Sequence, residues 1–133
     1  MLNGDTRLPR LLVCGSREWT DRELVEPVLR DHGPAVIVHG AAPGADRIAG
    51  AVARSLGWPV EEHPADWERH GKRAGPLGNI EMLDTKPVLV IAFTLIPGGT
   101  PGTRHTITAA RRRGIPVLIV EPDGAINRDH GRR

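Results

Sequence analysis

The chain has 133 residues, one cysteine, and 18 Lys and Arg against 16 Asp and Glu, for a net charge of +2. That length suits a single core burying about two-thirds of the unfolded surface, and the lone Cys14 excludes a disulfide framework or a cysteine-rich zinc site. A charge this near balance does not point to nucleic acid, and no stretch reaches the roughly 18 uninterrupted apolar residues of a membrane helix. The expectation is a cytoplasmic protein with neither a membrane nor a nucleic acid as its partner.

Residues 1–9 are polar and lack the apolar stretch of a signal peptide, so they read as a flexible leader. Residues 10–14 form the first strand, which empties into Gly15, Ser16 and Arg17. Thr20 and Glu23 have the spacing of a capping box. The helix they open turns Leu24, Val25, Val28 and Leu29 to the core, and Pro27 is expected to kink or divide it. Residues 35–38 are the short, β-branched run of a buried strand. From Ala45, the apolar positions Ala45, Ile48, Ala49, Val52, Ala53 and Leu56 trace one helical face, and Gly57 with Pro59 stops it. Residues 58–63 suit an edge strand, because Pro59 and an acidic pair tolerate an unpaired border. Residues 64–76 are the longest irregular segment and carry Asp66, Trp67, His70, Lys72 and Arg73. Pro76 opens a short helix to Asp84, and residues 87–93 are the clearest buried strand. A second glycine-rich turn over residues 96–103 leads into a helix over residues 103–113. Its final run, Arg111, Arg112 and Arg113, is a solvated end favoured by the helix dipole. Residues 117–120 are the last strand, and residues 122–133 read as a flexible tail. One domain therefore spans residues 10–121.

Strands alternating with helices call for an α/β domain whose mostly parallel sheet is covered on both faces. Ligands bind such sheets beyond the carboxyl ends of the strands. The glycine-rich turns after Cys14, Val38 and Phe93 all lie at that end. In the middle turn, His39, Gly40, Gly44, Ala45 and Asp46 include residues small enough to leave N–H groups uncovered at a helix N-terminus, which suits phosphate. The same residues read equally well as a tight connection in which Gly44 supplies an unusual backbone angle. The spacing matches neither the dinucleotide fingerprint nor the Walker phosphate loop.

Gly15, Ser16 and Arg17, then His39, Gly40, Gly44, Ala45 and Asp46, then Asp66 and Trp67 with Gly71, Lys72, Gly75 and Pro76, together resemble the SLOG superfamily and its small YspA-like branch from bacteria and phages. Asn79 and Met82 fit the same pattern. The resemblance covers roughly residues 11–120. It implies a Rossmann-like three-layer domain with a five-stranded parallel sheet in the order 3-2-1-4-5, a nucleotide-derived ligand, and a homodimer formed through helices flanking the sheet. The superfamily also includes Lonely Guy phosphoribohydrolases, which cleave an N-glycosidic bond, and DprA proteins, which bind single-stranded DNA. The hydrolase loop is a Pro-Gly-Gly-x-Gly-Thr motif followed by a glutamate. Here the turn carries one extra residue, and Arg104, His105 and Thr106 follow it without a carboxylate.

The reading favoured by these residues is a module binding a phosphate-bearing nucleotide derivative, without a cofactor. Gly40, Gly44, Ala45, Asp46, Gly98, Gly99, Gly102 and Thr103 would line the phosphate, and Arg17 and Lys72 would add charge. Trp67 reads equally as a stacking face or a core plug. Asp46 either accepts ribose hydroxyls or favours its own helix N-terminus. A hydrolase is the alternative, with Asp46 or Asp66 as carboxylate and His39 or His105 as proton carrier. His39 and His63 end neighbouring strands without metal-ligand spacing, so no metal is expected.

Overall fold

The computed structural model describes residues 8–129. Most of the expected leader, and the end of the expected tail, lie outside the described residues.

The elements in chain order are β1 (Arg10–Gly15), α1 (Arg22–His32), β2 (Val36–His39), α2 (Ala45–Ser55), β3 (Val60–Glu62), α3 (Trp67–His70), a 3-10 turn (Gly71–Arg73), α4 (Ala74–Asp84), β4 (Leu89–Phe93), α5 (Pro101–Arg112), β5 (Val117–Val120) and β6 (Ile126–Asp129). The sheet order is β3-β2-β1-β4-β5-β6. Strands β1 to β5 run parallel, with Leu12 beside Val38 on one side and Val90 on the other.

Alternation along the strands builds the three layers, because successive side chains leave a strand on opposite faces. Leu11 and Val13 join Ile91 and Phe93 beneath Val25, Leu29, Ala49 and Val52 of α1 and α2. Leu12 and Cys14 join Val90 and Ala92 beneath Met82, Leu83, Ile107 and Ala110 of α4 and α5. Trp19 is buried against Phe93, ring centroids 5.3 Å apart, which ties the loop after β1 to the centre of the sheet.

Several local expectations need correction. Residues 122–133 do not all form a loose tail: β6 pairs antiparallel with β5 and makes a sixth strand. The reversal is a turn in which Gly124 N donates to the Glu121 carbonyl and Ala125 N donates to Asp123 Oδ1. The cap of α1 is Asp21, whose side chain accepts from Leu24 N, one residue after the expected Thr20. Pro27 leaves α1 undivided. It is exposed, as is Glu23 one turn earlier, so the break it makes in the hydrogen-bond ladder lies on the outer face of the helix. The segment read as irregular holds α3, capped by Asp66 Oδ1 accepting from Arg69 N, and α4 begins two residues before Pro76. Helix α5 begins at Pro101, which has no N–H to lose at a first helical position.

Candidate functional site

A cleft of about 820 Å³ opens beyond the carboxyl ends of the strands. Cys14, Gly15, Ser16, Arg17 and Glu18 border it after β1, and residues 40–43 with Asp46 and Arg47 border it after β2. Trp67, Gly75, Asn79 and Met82 come from α3 and α4, and residues 100–103, His105 and Thr106 come from the start of α5.

In the turn after β2, four backbone donors are taken by the protein itself. Asp46 Oδ2 accepts from Gly40 N at 3.1 Å and Ala42 N at 3.2 Å. Ala41, in the left-handed region, donates to His39 Nδ1 at 2.9 Å. The first N–H of α2, that of Ala45, donates to the Ser16 carbonyl at 3.1 Å. Gly44, with φ of 79°, lies so close to the Ser16 and Arg17 carbonyl oxygens that a side chain there would overlap them. Of the two readings open for Gly44 in the sequence, the backbone-angle reading describes what this residue does. The carbonyl oxygens beside it also repel an anion.

Asp46 is the buried acid of this region, 8% exposed. Desolvation pushes its pKa up to about 6 against the opposing effect of the Ala42 and Gly40 N–H groups and of Arg17 and Arg47. Arg47 folds back so that its Nε donates to the Ala41 carbonyl. Cys14, on the cleft floor, is a buried thiol whose pKa desolvation raises strongly.

The start of α5 shares with α2 the lack of a side-chain cap and differs in the space around its glycine. Gly102 faces open space, and no side chain caps this terminus. Its unpaired first-turn donors therefore have no side-chain acceptor supplied by the cap. Asn79 Nδ2 donates to His105 Nδ1 at 3.1 Å and reaches the Gly102 carbonyl at 3.4 Å. With Nδ1 accepting, the proton of neutral His105 sits on Nε2, which makes that nitrogen a donor. Trp67 stands 52% exposed at the cleft, its ring over Gly75, and so is not a core plug.

The cleft thus gathers Gly15, Ser16, Arg17, Gly40, Asp46, Trp67, Gly75, Asn79, Gly102 and Thr103 from the residues singled out in the sequence. Others lie off it. His39 is buried to 1% exposure, its Nε2 without a hydrogen bond and 3.8 Å from Glu62; burial lowers its pKa and keeps it neutral. Gly44 and Ala45 serve the packing just described. Gly99 packs on Thr103, and its carbonyl accepts from Arg104, which leaves Gly98 and Gly99 shaping the turn. Lys72 is exposed on the 3-10 turn, and Asp66 is spent on capping α3. Arg47 and His63 border the cleft without having been singled out as ligand contacts. Arg47 was findable, because it directly follows Asp46 in the first turn of α2. His63 is clasped by its neighbour Glu61 at 3.1 Å and by Glu81 of α4 at 3.3 Å, the second a contact between distant elements that no spacing announces.

Residues 9–70 match the YAcAr family, described as the YspA, cpYpsA-related SLOG family. The chain is also 46% identical over 119 residues to the Gene 61 protein of Mycobacterium phage D29, across 82% of this chain and 94% of that protein. The chain belongs to the YspA, cpYpsA-related SLOG family. Among solved structures, this SLOG domain is similar to DNA processing protein A (DprA) from Streptococcus pneumoniae, with a TM-score of 0.70 and 20% identity. The match covers 86% of the SLOG chain, which spans about half of the DprA chain (50%). That likeness concerns the fold, and it corrects the expectation that sets nucleic acid aside: the matched fold is that of a DNA processing protein. Whole-chain charge and aromatic content do not show that the fold gathers Arg17, Arg47 and an exposed Trp67 at one cleft. No helix among the described residues is long and apolar enough to cross a membrane.

Proposed function

We propose that this SLOG domain binds a phosphate-bearing nucleotide unit in the cleft, with the phosphate at the amino end of α5 and the base against Trp67. One observation carries the reading. A single cleft brings together an exposed indole and an uncapped helix N-terminus beside an open glycine. An indole face stacks on any base, and a helix N-terminus favours an anion. Arg17 supplies further positive charge at the same cleft. The absence of a carboxylate at Arg104, His105 and Thr106 supports binding without rapid turnover.

A second reading, in which the nucleotide unit belongs to a DNA strand, is favoured by the likeness to a DNA processing protein. Thermal shift separates the two. Nucleoside monophosphates and a short oligothymidylate are each added to the protein, and each mixture is then examined by mass spectrometry for released base. A ligand at 100 times its dissociation constant stabilises by about 2.7 kcal/mol. A shift with monophosphates that changes little with salt supports the first reading. A shift confined to the oligonucleotide and lost as salt rises supports the second. No shift with any of them removes both, and free base in the tube replaces binding by hydrolysis.

A further inference from the structure

We infer that Asp46 is the specificity-determining residue of this cleft, its free carboxylate oxygen accepting a hydrogen bond from a sugar hydroxyl of the bound nucleotide. The inference rests on the monophosphate reading above and adds to it the part of the ligand that is read. Only Oδ2 of Asp46 is used by the protein, by Gly40 N and Ala42 N. Oδ1 makes no hydrogen bond among the described residues, yet it is not a sealed, unsatisfied atom: His39 Nε2 alone has that status there. A residue 8% exposed that borders the cleft thus keeps its spare oxygen in contact with the cleft interior. An acceptor held this way calls for a donor from an occupant. Arg17 and Arg47 lie close enough to act on its charge, and they oppose a cationic donor such as an ammonium group. A phosphate, having no donor when ionised, gains nothing at Oδ1 and is repelled by it. A neutral donor is what remains, and with the base placed against Trp67 the sugar supplies it as a hydroxyl. The other ionisable groups bordering the cleft are Cys14, Glu18, His63 and His105.

Asp46→Asn is the informative change. Two backbone N–H groups require an acceptor at the Oδ2 position, so the amide oxygen stays there and the NH2 group replaces Oδ1. The loop keeps its bonds while the group facing the ligand changes from acceptor to donor. Calorimetric titrations compare AMP with 2′,3′-dideoxyAMP on the wild-type protein and on Asp46→Asn, with the melting temperature of each recorded. The wild type is expected to bind AMP about tenfold or more tightly than the dideoxy compound, the loss typical of a hydrogen bond to a charged group, and the variant is expected to lose most of that preference, because a neutral amide N–H donating to the hydroxyl oxygen replaces the charged acceptor. Equal binding of both compounds by the wild type overturns the inference and leaves nucleotide binding standing. Preference for AMP at the full wild-type strength in a folded Asp46→Asn also overturns it, by assigning the hydroxyl to another residue. Binding of neither compound by the wild type removes the monophosphate reading and this inference together. If Asp46→Asn does not fold, Asp46→Glu on the same pair decides: a longer side chain displaces the acceptor, so retention of the full wild-type preference refutes the assignment and its loss supports it.

Discussion

The turns before α2 and α5 look alike in the sequence, each a glycine-rich run leading from a buried strand into a helix, but they are opposite in use. Before α2, the N–H groups of Gly40, Ala41, Ala42 and Ala45 end on Asp46, His39 and Ser16. Neither helix has a side-chain cap, but at the start of α5 Gly102 borders open space. The lesson is that glycine content measures how closely something approaches the backbone, not what approaches it. At Gly44 it is the chain's own Ser16 and Arg17; at Gly102 nothing of the chain fills the place.

The largest expected effect tests that contrast. Gly44→Ala puts a methyl group onto the Ser16 and Arg17 carbonyls at a φ of 79°, so overlap and backbone strain act together. It should cost about 3 kcal/mol or more of stability. Gly102→Ala meets nothing within 4 Å and should be neutral or gain up to about 1 kcal/mol from helix propensity. Urea unfolding of the two variants measures both; equal losses would erase the distinction between the turns.

Asp46 offers the next test, because the closed turn is built around it. Its folded pKa of about 6 lies above the ordinary value of 3.8, so the folded protein holds this proton more tightly than the unfolded chain does. The associated stability is fully present below about pH 4 and is lost as pH rises through about 6. At pH 7.5 the ionised group costs about 3 kcal/mol. Asp46→Asn cannot ionise, so it should exceed the wild type in stability at pH 7.5, with the gap shrinking as pH falls toward 4. A gap that widens on acidification would mean that the Gly40 and Ala42 N–H groups outweigh burial.

The layers of the fold were legible in the sequence because each rests on a local period: strands β1 and β4 on continuous apolar runs, α2 on its apolar face from Ala45. The strand order came from resemblance, since no period specifies which strands are neighbours. Strand β6 was legible and went unread. Asp123-Gly124 is a strong reversal signal, but the polar Asn127 and Arg128 hid the strand after it because one at the sheet border needs little apolar surface. The closing of the turn before α2 was not legible. It depends on the Ser16 carbonyl, 29 positions before Ala45, and on which oxygen of Asp46 turns inward.

Trp67 lies on the open side of the comparison, and its effect should fall on binding rather than folding. Being 52% exposed, it gives up little packing, so Trp67→Ala should change stability by no more than about 0.5 kcal/mol. Loss of a stacked base should weaken a monophosphate by about 1–3 kcal/mol. Calorimetry with AMP, beside the urea midpoint, reads both. Unchanged affinity would move the base away from the indole.

The smallest effect concerns the polar support of the open turn. Asn79, on α4, donates to His105 Nδ1 on α5 and thereby keeps the His105 proton on Nε2. If Nε2–H contributes to holding the phosphate, Asn79→Ala weakens binding by about 1 kcal/mol, because the ring is then free to take the other tautomer or turn away. That loss must travel through His105. A double-mutant cycle isolates it: Asn79→Ala should weaken AMP in the wild-type background and do nothing further once His105 is alanine. Additive losses would mean that Asn79 acts through its longer contact with the Gly102 carbonyl, by holding the turn itself. The open turn would then be held by α4, and His105 would contribute to binding independently of Asn79.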